Sequence, residues 1–289
     1  MFKALFGLAP QKEADGSFRP SPLALRLATS ATTNYTSPEV PPAPKRHQRI
    51  MVLMTEDKDM TMANGLRFST GNHPVETFVP LLHFRHAGYD IDIVTPTGRP
   101  AVIESWALPK KDQVVMGLYE ALQPALINPI SLESLVTRLD THEAEYAALF
   151  IPGGHGAMLG LPQNPKVDTV LRWAHRTEKL ILSICHGPGA FLATTLNEQP
   201  FLFVGYRMAA FPDAMDKMTP RLGYLPGHMP WRLCEELENR GVVIDNRKAD
   251  ATCCVDRHLI TGASPAASNQ LGVLAVQFLQ GQSESLARE

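Results

Sequence analysis

The sequence sets a cysteine where the backbone has to turn sharply. Leu180-Ile181-Leu182-Ser183-Ile184 is a short apolar run that ends in Cys185-His186-Gly187-Pro188-Gly189-Ala190. Small residues behind a strand permit the tight strand-to-helix turn of a nucleophile elbow, which pushes one side chain out of the backbone. A thiol at the start of a helix is expected to gain from the helix dipole and to ionise more readily than a free cysteine. His186 comes directly after it. It could hold the thiolate as an ion pair or move protons, and its backbone N–H could donate to an oxyanion. Most free cysteines are small buried hydrophobes; the strand-Cys-His-Gly context is what favours a nucleophile here.

Three other stretches carry groups that such a thiol could use. Phe150-Ile151-Pro152-Gly153-Gly154-His155-Gly156 ends a second apolar run in a glycine loop whose N–H groups can converge on an anion. Alone it is equally a plain turn. At the end of a neighbouring parallel strand it joins a site, because open α/β sheets bind ligands at the carboxyl ends of their strands. Glu76, in Gly71-Asn72-His73-Pro74-Val75-Glu76, stands in a first helical turn, where the dipole favours a carboxylate whatever its role. Asp213, in Ala209-Ala210-Phe211-Pro212-Asp213-Ala214, is a turn aspartate until something ties it to His186. His228, after Pro226-Gly227, is a further candidate to line a pocket. Cys234 sits with Leu233 and Leu237 and reads as packing, while Cys253 and Cys254 point to opposite faces of a strand with no acid–base partner in view.

The elements that must position these groups are legible from periodicity. Ile50 to Met54, Tyr89 to Val94, Tyr146 to Ile151 and Leu180 to Ile184 are short apolar runs of the kind covered on both faces. A helix opens at Pro74, with Val75, Phe78, Val79 and Leu82 at i, i+3, i+4, i+7. Asn164-Pro165 and Ser264-Pro265 each open another, cap residue first and proline in the first turn. Strands alternating with helices predict a mostly parallel sheet with helices on both faces. Residues 1–47, with prolines in clusters and no sustained period, read as an arm or linker around an α/β domain spanning 48–284. Residues 97–143, with helical stretches near 112–122 and 131–140, and the Gly- and Pro-rich 200–230 are insertions of the sort that form a lid or rim.

Composition narrows the class. Over 289 residues, 27 Lys and Arg against 29 Asp and Glu leave a net charge of −2, with 44% hydrophobic residues. That excludes a largely disordered chain and argues against a dedicated nucleic-acid-binding surface. No run reaches the roughly 18 apolar residues of a membrane span. Four cysteines without a framework spacing, and a start that lacks a secretory h-region, point to a reducing, cytoplasmic setting.

Taken together and in order, Gly71-Asn72-His73-Pro74-Val75-Glu76, Ile151-Pro152-Gly153-Gly154-His155-Gly156, Ser183-Ile184-Cys185-His186-Gly187-Pro188 and Ala210-Phe211-Pro212-Asp213 resemble the ThiJ/PfpI superfamily, and within it the HchA branch. The resemblance runs from about residue 48 to 280. It implies a flavodoxin-like sandwich with a cap insertion, and a homodimer. It also implies a cofactor-independent enzyme: a glyoxalase III making D-lactate from methylglyoxal and glycolate from glyoxal, a deglycase hydrolysing early glyoxal adducts on proteins and nucleotides, and a holding chaperone for unfolded clients. Carried over by motif, Cys185 is the nucleophile, Glu76 the carboxyl beside its sulfur, His186 the catalytic histidine and Asp213 the acid that orients it, with the Gly154 and His186 N–H groups as oxyanion hole. A peptidase or amidotransferase-like hydrolase on the same elbow, or a chaperone with little catalysis, is the alternative.

One departure concerns metal. Some members of that branch hold an ion with two histidines and a carboxylate near the cap, and the matching positions here are Arg85, Asp90 and Leu122. An arginine beside a cation is unfavourable, so no metal is expected there. His83 and His86, three apart on the helix, could stand in together with Asp90, but histidines so placed more often serve the helix surface or packing.

Overall fold

The computed structural model describes residues 9–38, 48–197 and 199–281. Two short strands, β1 (Gln11–Lys12) and β2 (Phe18–Arg19), lead into helix α1 (Pro22–Ala28). Next come β3 (Arg49–Leu53), β4 (Asp59–Thr61), β5 (Arg67–Ser69), α2 (Pro74–His86), β6 (Asp90–Thr95), α3 (Gln113–Ile127), β7 (Ile130–Ser131), α4 (Leu132–Val136) and β8 (Tyr146–Ile151). The second half carries α5 (Pro165–Arg176), β9 (Leu180–Ile184), β10 (Arg207–Met208), α6 (Asp213–Met218), α7 (Leu233–Glu238), β11 (Val243–Ile244), β12 (Cys253–Asp256), β13 (Leu259–Gly262) and α8 (Ser268–Leu279).

The central sheet has the order β12-β13-β9-β8-β3-β6-β7, parallel throughout except for the β12–β13 hairpin. Its strands are apolar on both faces because each face is covered. Met51, Leu53, Leu149, Ile151 and Ile181 pack against Val167, Val170 and Leu171 of α5. Their alternates Ile50, Val52, Ala148, Phe150 and Leu182 pack against Phe78, Val79 and Leu81 of α2 and Leu271 and Leu274 of α8. This is the mostly parallel sheet with helices on both faces that the alternating pattern predicted, in the flavodoxin-like layering that the resemblance implied. Asn164 caps α5, its Oδ1 accepting the Lys166 N–H at 2.8 Å. At Ser264-Pro265 a 3₁₀ turn (Pro265–Ala267) precedes α8, so the cap serves the turn.

From β3 the chain moves outward to β6 and β7, then returns to the other side of β3 as β8. That reversal opens a crevice at the carboxyl ends of β3, β8 and β9, the place where such sheets bind ligands.

The arm is more structured than its composition suggests. β1 and β2 extend β5 and β4 into a separate four-stranded sheet, and α1 is capped by Ser21, whose Oγ accepts the Ala24 N–H at 3.1 Å. Beyond α1, Thr33 donates its N–H and hydroxyl to Asp112 (2.9 and 2.6 Å), and the Thr36 N–H reaches Asn269 Oδ1 at 3.0 Å. The 39–47 stretch before the boundary read at 48, and the boundary read at 284, lie outside the described residues.

Candidate active site

Cys185 stands at the tip of β9 with φ +59°, a left-handed backbone that non-glycine residues adopt rarely and at a cost of about 1–3 kcal/mol. The neighbouring chain holds it there. Its N–H donates to Gly262 O at 2.8 Å, and its carbonyl accepts the Phe211 N–H at 2.9 Å. The backbone then continues as 3₁₀ turns over Gly187–Thr195.

The sulfur lies 3.2 Å from His186 Nδ1, and His186 Nε2 donates to Asp216 Oδ2 at 2.8 Å. The ring is fixed on both faces, tilted against His155 with centroids 4.0 Å apart and stacked on Phe211 at 4.7 Å. Asp216 holds a second imidazole, since its Oδ1 accepts from His155 Nε2 at 3.0 Å. This tautomer leaves Nδ1 of His186 free to accept a proton from the thiol.

Glu76 approaches from α2. A Cβ on Gly153 would lie 2.7 Å from Cys185 Cβ and 2.5 Å from the Ile184 carbonyl oxygen, with Glu76 Oε2 nearer still, so only glycine lets thiol and carboxyl converge. Gly154, at φ +97°, turns its loop toward both groups, and a Cβ there would meet His73 N at 2.6 Å. Among the described residues neither the Gly154 nor the His186 N–H donates to a backbone carbonyl. The Gly154 N–H is aimed at the Cys185 thiol and the Glu76 carboxyl, the place where an incoming oxygen would arrive. These groups share a cavity of about 460 Å3 with His73, Glu104, His155 and Tyr224, rimmed by Leu27 of α1 and Met215, Thr219 and Leu222.

Two expectations need correction. Asp213 does not touch His186: its carboxylate accepts the backbone N–H groups of Cys234 (3.0 Å) and Glu235 (2.9 Å), capping α7. Asp216, three residues on and nearly one helical turn along α6, faces the imidazole instead, a distinction that appears only once α6 is known to be a helix. The thiol is also not acidified. Burial pushes it well above its ordinary value and the Glu76 and Asp216 carboxyls add to this, outweighing the Gly154 N–H. The chain beyond Cys185 winds as a 3₁₀ run rather than a regular α-helix, and whatever its dipole gives the thiolate does not offset the burial.

Charge in the cavity tracks burial. Glu76 is pushed up to about 8, mainly by desolvation and further by Glu104, against the pull of the Cys185 thiol and the Gly154 N–H. His73 is driven down to about 3 by burial, with His155 and His186 adding to it. Burial also works against a charged Asp216, yet the His186 and His155 rings beside it hold its carboxyl well below the usual carboxylate range.

Glu76 therefore links stability to pH. Below its ordinary value of 4.5 the carboxyl is protonated in both folded and unfolded chains; from there to about 8 only the unfolded chain releases the proton, so stability falls as pH rises. Replacing Glu76 by Gln is expected to change stability little at pH 4 and to raise it by about 4 kcal/mol at pH 8. Urea unfolding at the two pH values measures this, and an equal effect at both would contradict it.

The remaining candidates lie elsewhere. Asp90 is exposed, 3.5 Å from the Arg49 guanidinium, and Leu122 is buried in the core on the α2 side of the sheet. His83 Nε2 bonds Asn269 Oδ1 at 2.9 Å, and His86 Nε2 has no hydrogen-bond partner among the described residues. Elsewhere, His155, His186 and Asp216 bring ligand-type atoms within 4.8 Å of one another, but these atoms already satisfy each other by hydrogen bonding. His228 lines a smaller pocket beside Lys217 and Trp231, apart from the cavity of Cys185. Cys234 and Cys254 are buried, with Sγ contacts to Phe211 O and Asp245 respectively. Asp216, Glu104 and Tyr224 carry no signal in the sequence, because the elements that supply them have no motif of their own.

The sequence profile of the DJ-1/PfpI family matches residues 68–277. The chain is 41% identical over 263 residues, 91% of its own length and 92% of the relative's, to protein/nucleic acid deglycase HchA of Escherichia coli O157:H7. It is similar to the same extent to protein/nucleic acid deglycase 1 of Escherichia coli strain K12. Glyoxalase III of Candida albicans superposes with a TM-score of 0.63 at 18% identity, over 79% of this chain and 96% of that one, a likeness of fold. Among the described residues no helix is long and apolar enough to cross a membrane.

Proposed function

This chain belongs to the DJ-1/PfpI family, and from that membership we propose that it is a glutathione-independent cysteine enzyme. It converts methylglyoxal and glyoxal to D-lactate and glycolate, and hydrolyses their early adducts on proteins and nucleotides. The observation that carries this is the unbroken relay of Cys185 Sγ, His186 Nδ1 and Nε2, and Asp216, in which Cys185 and His186 line a cavity and Asp216 backs the imidazole. The names of the deglycase relatives support the substrate class.

The contacts suggest the chemistry. As the sulfur attacks the aldehyde carbon, its proton passes to His186 Nδ1, and Asp216 stabilises the imidazolium through Nε2–H. This route suits a thiol that burial keeps neutral. The oxyanion that forms meets the Gly154 and His186 N–H groups. His186 or Glu76 then relays a proton between the two carbons, and water releases the acid. Every step uses groups of the chain and water.

The reading is tested by incubating the protein, without glutathione, with methylglyoxal, glyoxal and an early-glycated amino acid, and measuring D-lactate, glycolate and free amino acid. Turnover of at least one is expected; none with all three would end the proposal. The same reading includes a homodimer, a cytoplasmic setting that fits the four free cysteines, and holding of unfolded clients, a role supported by the exposed Leu27, Met215 and Leu222 at the cavity. Cys185→Ser should keep any client-holding activity in a heat-aggregation assay.

A further inference from the structure

Glu104 is a buried acid in the cavity that the proposed steps do not use. It comes from the 97–143 insertion and is tied to the loop before α2. Its N–H donates to Asn72 O at 3.1 Å, and Asn72 and Ile103 form an isolated parallel bridge. Its side chain is sealed from bulk water, the residue being 2% exposed. Oε1 accepts from Thr70 Oγ1 at 2.7 Å, while Oε2 is buried without a partner. A buried oxygen left unpaired typically costs about 1–3 kcal/mol, and such exceptions ask for a reason.

The surroundings supply one. Glu104 lines the same cavity as Cys185, Glu76, His73, His155 and Tyr224. Burial pushes it up to about 7, against the pull of His155, the Thr70 hydroxyl and the Gly71 N–H, so near neutral pH much of it carries a proton to donate. A 2-oxoaldehyde has oxygens on two adjacent carbons. The oxygen on the attacked carbon goes to the Gly154 and His186 amides; the other has no partner among the groups assigned so far.

We propose that Glu104 binds this second oxygen: its carboxyl donates a hydrogen bond to the carbonyl or hydroxyl oxygen on the carbon next to the one Cys185 attacks, and so selects compounds oxygenated at both carbons. The inference rests on the reading of Cys185 as the attacking group. Thr70 and the Asn72 bridge hold the carboxyl in place, and a site built around such a donor discriminates strongly against an analogue that lacks the matching oxygen.

The test is competition against methylglyoxal turnover by two aldehydes, glycolaldehyde, which has the second oxygen, and propanal, which lacks it. Wild type should bind glycolaldehyde at least about tenfold more tightly than propanal. Glu104→Leu should lose about 10²-fold in kcat/KM for methylglyoxal, with the two competitors becoming equal within about twofold. Glu104→Gln, which keeps a donor, should retain most of the preference. A wild type with no preference overturns the inference, and so does a Leu variant that slows turnover while keeping the preference, since that marks a purely structural role. If wild type turns over methylglyoxal and neither variant differs from it, this inference alone falls; if wild type is inactive on every substrate, the reading beneath it falls as well.

Discussion

Replacing Cys185 by serine should reduce D-lactate formation from methylglyoxal by at least about 10⁴-fold, because removing a nucleophile disables the whole relay rather than one contact. A serine hydroxyl in the same place is nearly the same size and can still bond His186, so the fold should be unaffected and near-UV circular dichroism should match wild type. Burial already pushes the native thiol well above its ordinary value, and only the proximity of His186 Nδ1 at 3.2 Å makes it usable. An alcohol is a far weaker acid and does not benefit in the same way. D-lactate made at the wild-type rate by the serine variant would remove the thiol from the mechanism.

The second large effect separates two aspartates three residues apart. Asp216→Asn should lower kcat about 10³–10⁴-fold. The reason is geometric. Asp216 accepts from His186 Nε2 and, with its other oxygen, from His155 Nε2. An asparagine can accept from only one ring and turns an NH₂ toward the other, so a ring facing that NH₂ must move its proton to Nδ1, where for His186 it points at the sulfur and cannot take the thiol proton. Asp213→Ala, by contrast, should leave kcat close to wild type and lower stability by about 1 kcal/mol, the loss of a helix cap, since its carboxylate holds the first amides of α7. Steady-state kinetics and thermal melts on the two variants decide between them. The opposite pattern, with Asp213 essential and Asp216 dispensable, would mean that the relay runs through a different arrangement of α6.

The chemistry of this chain was legible where a residue type and its immediate neighbours settle the geometry. An apolar strand followed by Cys-His-Gly makes a sharp corner, and Gly153-Gly154 at the next strand end makes an approach that no side chain could share; both constraints act over a few bonds, so they can be read from order alone. Apolar runs such as Tyr146 to Ile151 foretold strands covered on both faces for the same local reason.

Tertiary structure decided whatever depends on which elements face each other. Asp213 and Asp216 are indistinguishable as sequence; α6 and α7 assign one to a cap and the other to an imidazole. The thiol's acidity turned on burial and on carboxyls arriving from α2 and α6, which outweigh a local dipole. The arm, patternless as a string, supplies a wall of the cavity because it is held on either side of α1 by partners far away in sequence, Ser21 by the Gly223 carbonyl and Thr33 and Thr36 by Asp112 and Asn269. Proton affinity and pocket shape are sums over neighbours in space, and a one-dimensional order lists only neighbours along the chain.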